Sequence, residues 1–220
     1  MCFSATASFT AAAVAGGIGT VTLWKAAKLR DPALLPIAAF PVLFALQQAV
    51  EGLLWLDLAR PEPGACRPFL THAFLGYAEI FWPLFAPVAA WLIEPNLWRR
   101  RLIALCVLTG AAVSTYLLVK MLGNPYTASA ATGHIVYSNG VTYPRGIEIP
   151  YVLATTISLL LSSHRLIQLL AIVILGGFAV AWWSYHQSYI SVWCFFAAAS
   201  SVIVYLFVRQ ASQSGQGRTS

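Results

Sequence analysis

The most informative shortage in this sequence is charge. Only 9% of the 220 residues are Asp, Glu, Lys or Arg, whereas 59% are hydrophobic. A soluble globular domain carries about 25% charged residues. So few charges cannot cover a water-facing surface, which excludes a soluble globular fold. The composition predicts a single all-α integral membrane domain over residues 1–209.

Several familiar signatures are also missing. No glycine-rich loop with a lysine indicates phosphate binding, and no HExxH or CxxC spacing indicates a metal site. Lys120 lies at the end of an apolar segment, which excludes a buried retinal Schiff base. No Lys or Arg precedes Lys25, so the first apolar segment lacks the basic region of a signal peptide. We expect that segment to remain as a helix.

The apolar segments themselves predict seven transmembrane helices, since a span needs about 20 apolar residues. The segments cover residues 6–24, 33–56, 68–93, 102–122, 149–163, 166–186 and 188–208. The fifth is the shortest, and Pro150 stands in its first turn, where a missing N–H is tolerated.

Basic residues alternate between the two sides of these segments. Nine of the 13 fall on one side: Lys25, Lys28, Arg30, Arg99, Arg100, Arg101, Arg165, Arg209 and Arg218. The positive-inside rule makes that side cytoplasmic. The sequence therefore predicts an external N-terminus and a cytoplasmic C-terminus in the cell inner (plasma) membrane. This charge pattern accounts for the +6 balance, so we expect membrane lipids as partners and no nucleic acid.

Two segments outside the helices have distinct patterns. Residues 124–148, between the fourth and fifth helices, contain β-prone runs on either side of Asn139-Gly140, which predicts a small extracytoplasmic β-hairpin. Residues 210–220 are polar and rich in Gly and Ser, which predicts a disordered cytoplasmic tail.

Polar residues occur within the apolar segments. Gln47, Glu51 and Trp55 share one face of the second helix, and a carboxylate in a membrane is expected to face the bundle interior. In the third helix His72 and Glu79 lie two turns apart. Pro83 cannot donate to the carbonyl of Glu79, so a kink in the backbone is expected there.

The predicted topology places five Cys, His and Glu residues at one outward-facing level. They are Cys2, Glu51, His72, His186 and Cys194. Thiolate, imidazole and carboxylate groups together are ligands for zinc or copper. The sequence thus suggests a metal site, with Glu51 and His72 as the candidate catalytic residues. Packing and hydrogen bonding alone would also account for each of these side chains.

Disulfide formation is an alternative role for the same cysteines. Cys2 and Cys66 are both expected outside the cytoplasm, where disulfides persist. A Cys2–Cys66 or a Cys2–Cys194 bridge would be consistent with the predicted topology.

Four stretches carry a family resemblance: MCFSATASF, QQAVEGLLW, LLLSSHR and SVWCFFAA. They resemble a family of bacterial multi-pass membrane proteins of unknown function, across nearly the whole chain. The resemblance supports the membrane class and the helix count, and it implies no activity. His164, in LLLSSHR, falls on the cytoplasmic side of the predicted topology.

Three functions remain open. One is a membrane-embedded, metal-dependent enzyme acting on a lipid-like or small substrate. Another is a sensor or a ligand-binding protein, with Trp182, Trp183 and Trp193 as pocket walls, although Trp at this depth is more commonly part of an interfacial aromatic belt. The third is a transporter, which is disfavoured because the inner half of the predicted bundle has no ionisable residue.

Overall fold

The computed structural model describes residues 4–131, 133–141, 143, 146–184, 193, 194, 196, 198 and 200–216. Helices make up most of this structure. They are α1 (Ala5–Lys28), α2 (Leu34–Ala38), α3 (Phe40–Leu58), α4 (Arg67–Leu75), α5 (Trp82–Ile93), α6 (Leu97–Gly123), α7 (Glu148–Val152), α8 (Ser158–Leu160), α9 (Arg165–Ser184) and α10 (Ser201–Gln216). Two π-helical stretches, π1 (Gly76–Phe81) and π2 (Leu153–Ile157), join α4 to α5 and α7 to α8.

Five continuous helical stretches are long and apolar enough to cross a membrane. They are Ala5–Lys28, Leu34–Leu58, Arg67–Ile93, Leu97–Gly123 and Arg165–Ser184. Each matches one of the predicted segments, so the chain is a membrane-embedded helical protein. The number of spans beyond these five and their orientation stay predictions.

The fifth and seventh predicted spans are not among these five helices. The fifth corresponds to the short apolar helix Glu148–Leu160. At ~1.5 Å per residue it is about 20 Å long, which is shorter than the ~30 Å hydrocarbon core. The seventh is described only in part, and its described end is α10. Because α10 continues to Gln216, residues 210–216 are helical and the disorder predicted from residue 210 is wrong there. The Ala, Gln and Ser residues of this stretch extend a helix already formed.

Small residues set the closest approaches between helices. A Cβ at Gly19 would lie 2.6 Å from Val42, and a Cβ at Gly52 would lie 2.8 Å from the ring of Phe9. These positions pack α1 directly onto α3. Glycine permits such contacts between membrane helices because it lets the backbones approach. The packing fixes the height of α3, and therefore of Glu51.

A π-helical stretch, π1, lies next to the position where Pro83 predicts a kink. It comprises Gly76–Phe81 and ends just before Pro83, which lies in the first turn of α5. A π turn re-aims the side chains that follow it and is frequent at functional sites. It contains Glu79, whose side chain is 9% exposed.

A two-stranded antiparallel hairpin follows α6, as predicted. Strand β1 is Thr127–Ala131 and β2 is His134–Ser138, with Thr127 opposite Ser138. The prediction that Asn139-Gly140 is the turn of the hairpin is wrong, because the paired strands lie before it, with Ala131 opposite His134 and Gly133 at φ +79°. Asn139 accepts a hydrogen bond from the N–H of Val141, so it forms a local turn after β2 instead.

The LLLSSHR stretch forms a polar clasp at the other end of the bundle. Glu94 accepts hydrogen bonds from the N–H of Ser163 at 2.7 Å and from its hydroxyl at 2.6 Å. Arg99 donates to the carbonyls of residues 161 and 162, and the His164 ring contacts the carbonyl of residue 93. The clasp ties the end of α5 to the turn before α9, which gives His164 a structural role.

Candidate functional site

A chain of buried polar side chains crosses from α1 to the region of Cys194. Glu51 is 0% exposed and accepts a hydrogen bond from Ser8 at 3.5 Å, so the prediction that it faces the interior is confirmed. One turn earlier, Gln47 donates to the Cys194 sulfur at 3.1 Å and accepts from the indole of Trp82 at 2.8 Å. Hydrogen bonds therefore link Trp82, Gln47 and Cys194, and Glu51 lies beside this link on the same face of α3.

Gln48, the residue after Gln47 on α3, is unusual because its side chain is buried without hydrogen bonds to the described residues. Its side chain is 0% exposed, and neither its amide nitrogen nor its carbonyl oxygen has a hydrogen-bond partner among the described residues. A buried amide without partners is destabilising by roughly 1–3 kcal/mol.

His72 is not part of this chain of side chains. Its Nδ1 is 2.7 Å from the carbonyl oxygen of Pro68, which can only accept, so Nδ1 carries the proton. Its Nε2 then accepts a hydrogen bond from the backbone N–H of Tyr126 at 3.3 Å. Both ring nitrogens contact backbone groups, so His72 holds Tyr126 against α4. Tyr126 lies at the start of residues 124–148, which we call the hairpin segment.

The hairpin segment covers a cavity of about 280 Å³. Its wall combines side chains from π1, the hairpin, α7, α9 and the stretch around residue 194. The polar and aromatic members are Glu79, Tyr126, Tyr137, Ser138, Asn139, Tyr143, Glu148, Tyr151, Phe178, Trp193 and Cys194. We call it the hairpin pocket.

Hydrogen bonds in the pocket wall converge on the Glu79 carboxylate. Asn139 donates to the hydroxyl of Tyr143 at 2.7 Å, and that hydroxyl is 2.5 Å from the hydroxyl of Tyr126. Tyr126 is 3.1 and 3.2 Å from the two oxygens of Glu79. Because an amide nitrogen only donates, one consistent pattern points every proton toward Glu79. Burial, followed by the neighbouring charge of Glu79, raises the pKa of Tyr126 above its ordinary value, so this phenol keeps its proton.

Cys194 joins the two groups of residues. It bonds to Gln47 on one side and lines the hairpin pocket on the other. With Tyr151 and Trp193 it also lines a second cavity, of about 40 Å³, walled by the aromatic rings of Phe40, Phe44 and Trp82. Trp193 lines both cavities, whereas Trp183 is 90% exposed.

Three of the five predicted metal ligands lie in the described part of the structure. Cys2 and His186 lie outside the described residues, and the described ranges contain no group of three His, Cys, Asp or Glu side chains placed to hold a metal ion. Glu51 and Cys194 lie beside the same Gln47, while His72 lies apart from them. Metal binding therefore stays a prediction. Cys66 and Cys194 are free thiols, and Cys2, the other half of both disulfides considered from the sequence, lies outside the described residues.

The most important residues of the pocket were absent from the predicted site. Glu79 stands on the same helix face as His72, which was the one available signal for it. The partners of Glu79 come from distant parts of the chain, since Tyr126 is 47 residues away from it. The four tyrosines of the pocket lie in or beside the 124–148 segment, and this unusual density was the signal for the pocket wall.

Comparison with known proteins gives a family and no function. No curated protein and no solved structure matches the chain. A family model matches residues 1–219, almost the full length, and its description is "family of unknown function". The chain therefore belongs to the family of unknown function DUF6629.

Proposed function

We propose that this protein binds a small organic molecule in the hairpin pocket, as a ligand-binding or sensor protein of the cell inner membrane. The observation that carries the proposal is the pocket wall itself. It presents six aromatic side chains and two carboxylates around about 280 Å³. Ligand sites are concave, largely apolar and equipped with a few fixed polar groups.

The orientation predicted from the basic residues supports access from outside the cell. The hairpin lies at the opposite end of α6 from Arg99, Arg100 and Arg101, which the positive-inside rule places in the cytoplasm. A pocket closed by a hairpin on that side receives molecules from the extracytoplasmic space or from the outer leaflet.

The polar groups of the pocket fit binding better than chemistry on a substrate. Tyr126 donates a hydrogen bond to the Glu79 carboxylate and is itself in contact with the hydroxyl of Tyr143, while Cys194 is 8% exposed and bonded to Gln47. Such partners fix a carboxylate in place as an anchor. Among the described residues, no His is hydrogen-bonded to the Cys194 thiol to act as its activating base.

A thermal-shift screen tests this function. Purified protein in detergent is heated with small molecules of cationic, neutral and anionic classes, because a ligand at 100 times its Kd stabilises the folded state by about 2.7 kcal/mol. The Val141→Trp variant fills the pocket from its loop wall, and Val141→Thr keeps the side-chain volume as a control. We expect stabilising molecules to act on the wild type and on Val141→Thr, and not on Val141→Trp. Equal shifts in all three proteins would refute the pocket as the site.

Metal-assisted chemistry is the second candidate, favoured by Cys194, which is bonded to Gln47 one helical turn before Glu51. Its test is elemental analysis of the purified protein beside a Cys2→Ser/His186→Ala variant, with Cys66→Ser as the control for an exposed thiol. Stoichiometric zinc or copper in wild type and Cys66→Ser, lost in the double variant, would support it. Metal-free wild type would remove it.

A further inference from the structure

The hairpin pocket has an uneven distribution of charge. Its described wall contains the carboxylates of Glu79 and Glu148, and it contains no Lys, Arg or His. Neither carboxylate has an ion-pair partner within the described ranges, where the one salt bridge joins Arg67 to Asp57. The described part of the pocket wall therefore carries negative charge and no positive charge.

Glu79 also has unused capacity to accept hydrogen bonds. An ionised carboxylate offers about four lone-pair positions. Tyr126 is the one described donor to it, and a single hydroxyl proton is shared between the two oxygens at 3.1 and 3.2 Å. The side chain is 9% exposed, so bulk water has little access to the remaining positions. A buried carboxylate in this condition either takes up a proton or is stabilised in its charged form by a partner that brings positive charge.

The rest of the wall suits one particular kind of positive charge. Rings of Tyr126, Tyr137, Tyr143, Tyr151, Phe178 and Trp193 surround the space next to the carboxylates. Aromatic faces attract cations through their quadrupole, and aromatic cages recognise substituted ammonium groups. A small, strongly hydrated inorganic cation would instead need a shell of about six oxygen ligands.

We propose that the ligand of the hairpin pocket is an organic cation, an ammonium group bearing apolar substituents. The carboxylate of Glu79, supported by Glu148, neutralises its charge, and the aromatic wall covers its substituents. This inference rests on the proposed binding function and specifies its ligand class. Because Trp193 and Tyr151 also border the smaller apolar cavity, the substituents face a continuous aromatic wall.

Three probes of one shape separate charge from size. Choline carries a trimethylammonium group, 3,3-dimethyl-1-butanol replaces its nitrogen by carbon, and 3,3-dimethylbutanoate has the same apolar end with a negative charge. Binding of each to purified protein in detergent is measured by isothermal titration calorimetry. We expect choline to bind at least about tenfold more tightly than the alcohol, which corresponds to ~1.4 kcal/mol, and the carboxylate not to bind. Equal binding of choline and the alcohol, tighter binding of the carboxylate, or no choline binding at millimolar concentration would overturn the inference.

Isosteric variants then locate the charge. Glu79→Gln and Glu148→Gln keep the side-chain volume, and Glu62→Gln changes an exposed acidic residue outside the pocket. We expect a loss of choline affinity of about tenfold or more in Glu79→Gln, a smaller loss in Glu148→Gln, and wild-type affinity in Glu62→Gln. Choline affinity unchanged in both pocket variants would overturn the inference. A neutral or anionic molecule that stabilises wild type but not Val141→Trp would refute the cationic ligand and still support the proposed function.

Discussion

His72 and Tyr126 form a hydrogen-bonded contact between α4 and the residue that precedes strand β1. The imidazole Nε2 accepts the Tyr126 backbone N–H at 3.3 Å, and the opposite ring nitrogen donates to the carbonyl of Pro68. Tyr126 in turn places its hydroxyl on Glu79. One side chain of α4 thus positions both the backbone and the phenol that form one wall of the pocket.

Replacing His72 by alanine should loosen the hairpin. The change leaves the Tyr126 N–H without its acceptor, and a lost hydrogen bond of this kind contributes about 0.5–1.5 kcal/mol. We expect faster amide exchange in strands β1 and β2, measured by hydrogen–deuterium exchange with mass spectrometry. We also expect weaker binding in the pocket, measured by calorimetry. Phe69→Ala, at a 72% exposed position of the same helix, is the control. Hairpin protection unchanged in His72→Ala would show that the ring does not hold this segment.

The Tyr126 hydroxyl and the Glu79 carboxylate should be energetically coupled. Tyr126→Phe removes the one described donor to a buried carboxylate, which should destabilise the fold by about 1–3 kcal/mol. Once Glu79 is replaced by glutamine, the same Tyr126→Phe change should have a smaller effect. A double-mutant cycle measured by thermal unfolding in detergent is expected to give a coupling of roughly 0.5–3 kcal/mol. Additive effects would mean that the hydroxyl does not support the carboxylate.

The sequence predicts the features that depend on local pattern. An acidic residue within an apolar segment predicts an inward-facing side chain, and Glu51 is buried. The β-prone run at 134–137 predicts a strand, and β2 is found there. Its partner was missed because Thr127–Ala131 contains small residues of low β propensity and pairs through its backbone. The Asn139-Gly140 pair favours a turn, and a turn forms, but no described strand follows it to complete a hairpin.

The pocket depends on contacts that no local pattern encodes. Glu79, Tyr126 and Trp193 come from three separate parts of the chain, and only the packing of α4, π1 and the hairpin segment brings them together. A pattern along one helix identifies which face is polar. It does not identify the phenol that arrives from another segment. The carboxylates and aromatic rings that favour a cationic ligand lie on separate segments, so no single stretch of sequence indicates them together.

Gly110 should be the least replaceable glycine of the membrane helices. A Cβ there would lie 1.8 Å from the carbonyl oxygen of Pro83, a backbone atom that cannot rotate away. Gly110→Ala should therefore separate α6 from α5 and destabilise the protein by at least about 1–3 kcal/mol, as overpacking does. Gly17→Ala is the matched control, because a Cβ there would meet nothing within 4 Å. Comparable thermal stability of the two variants in detergent would contradict this packing.

The hydrogen bonds to Glu94 in the clasp should make the thermal stability of the protein depend on pH in the acidic range. Burial by itself raises the pKa of Glu94, but hydrogen bonds from Ser163 and from the N–H of Asn96, together with the charge of His164, lower it below its ordinary value. A carboxyl group whose pKa is lower in the folded state stabilises the fold at pH values above its unfolded pKa of about 4.3. That stabilisation is lost as the pH falls from there through the folded pKa. We expect the thermal stability of wild type to fall more steeply below about pH 4.5 than that of Glu94→Gln, in which this titration is absent. The exposed Glu62→Gln is the control and should follow wild type, and parallel curves for wild type and Glu94→Gln would show that the clasp does not depend on the charge.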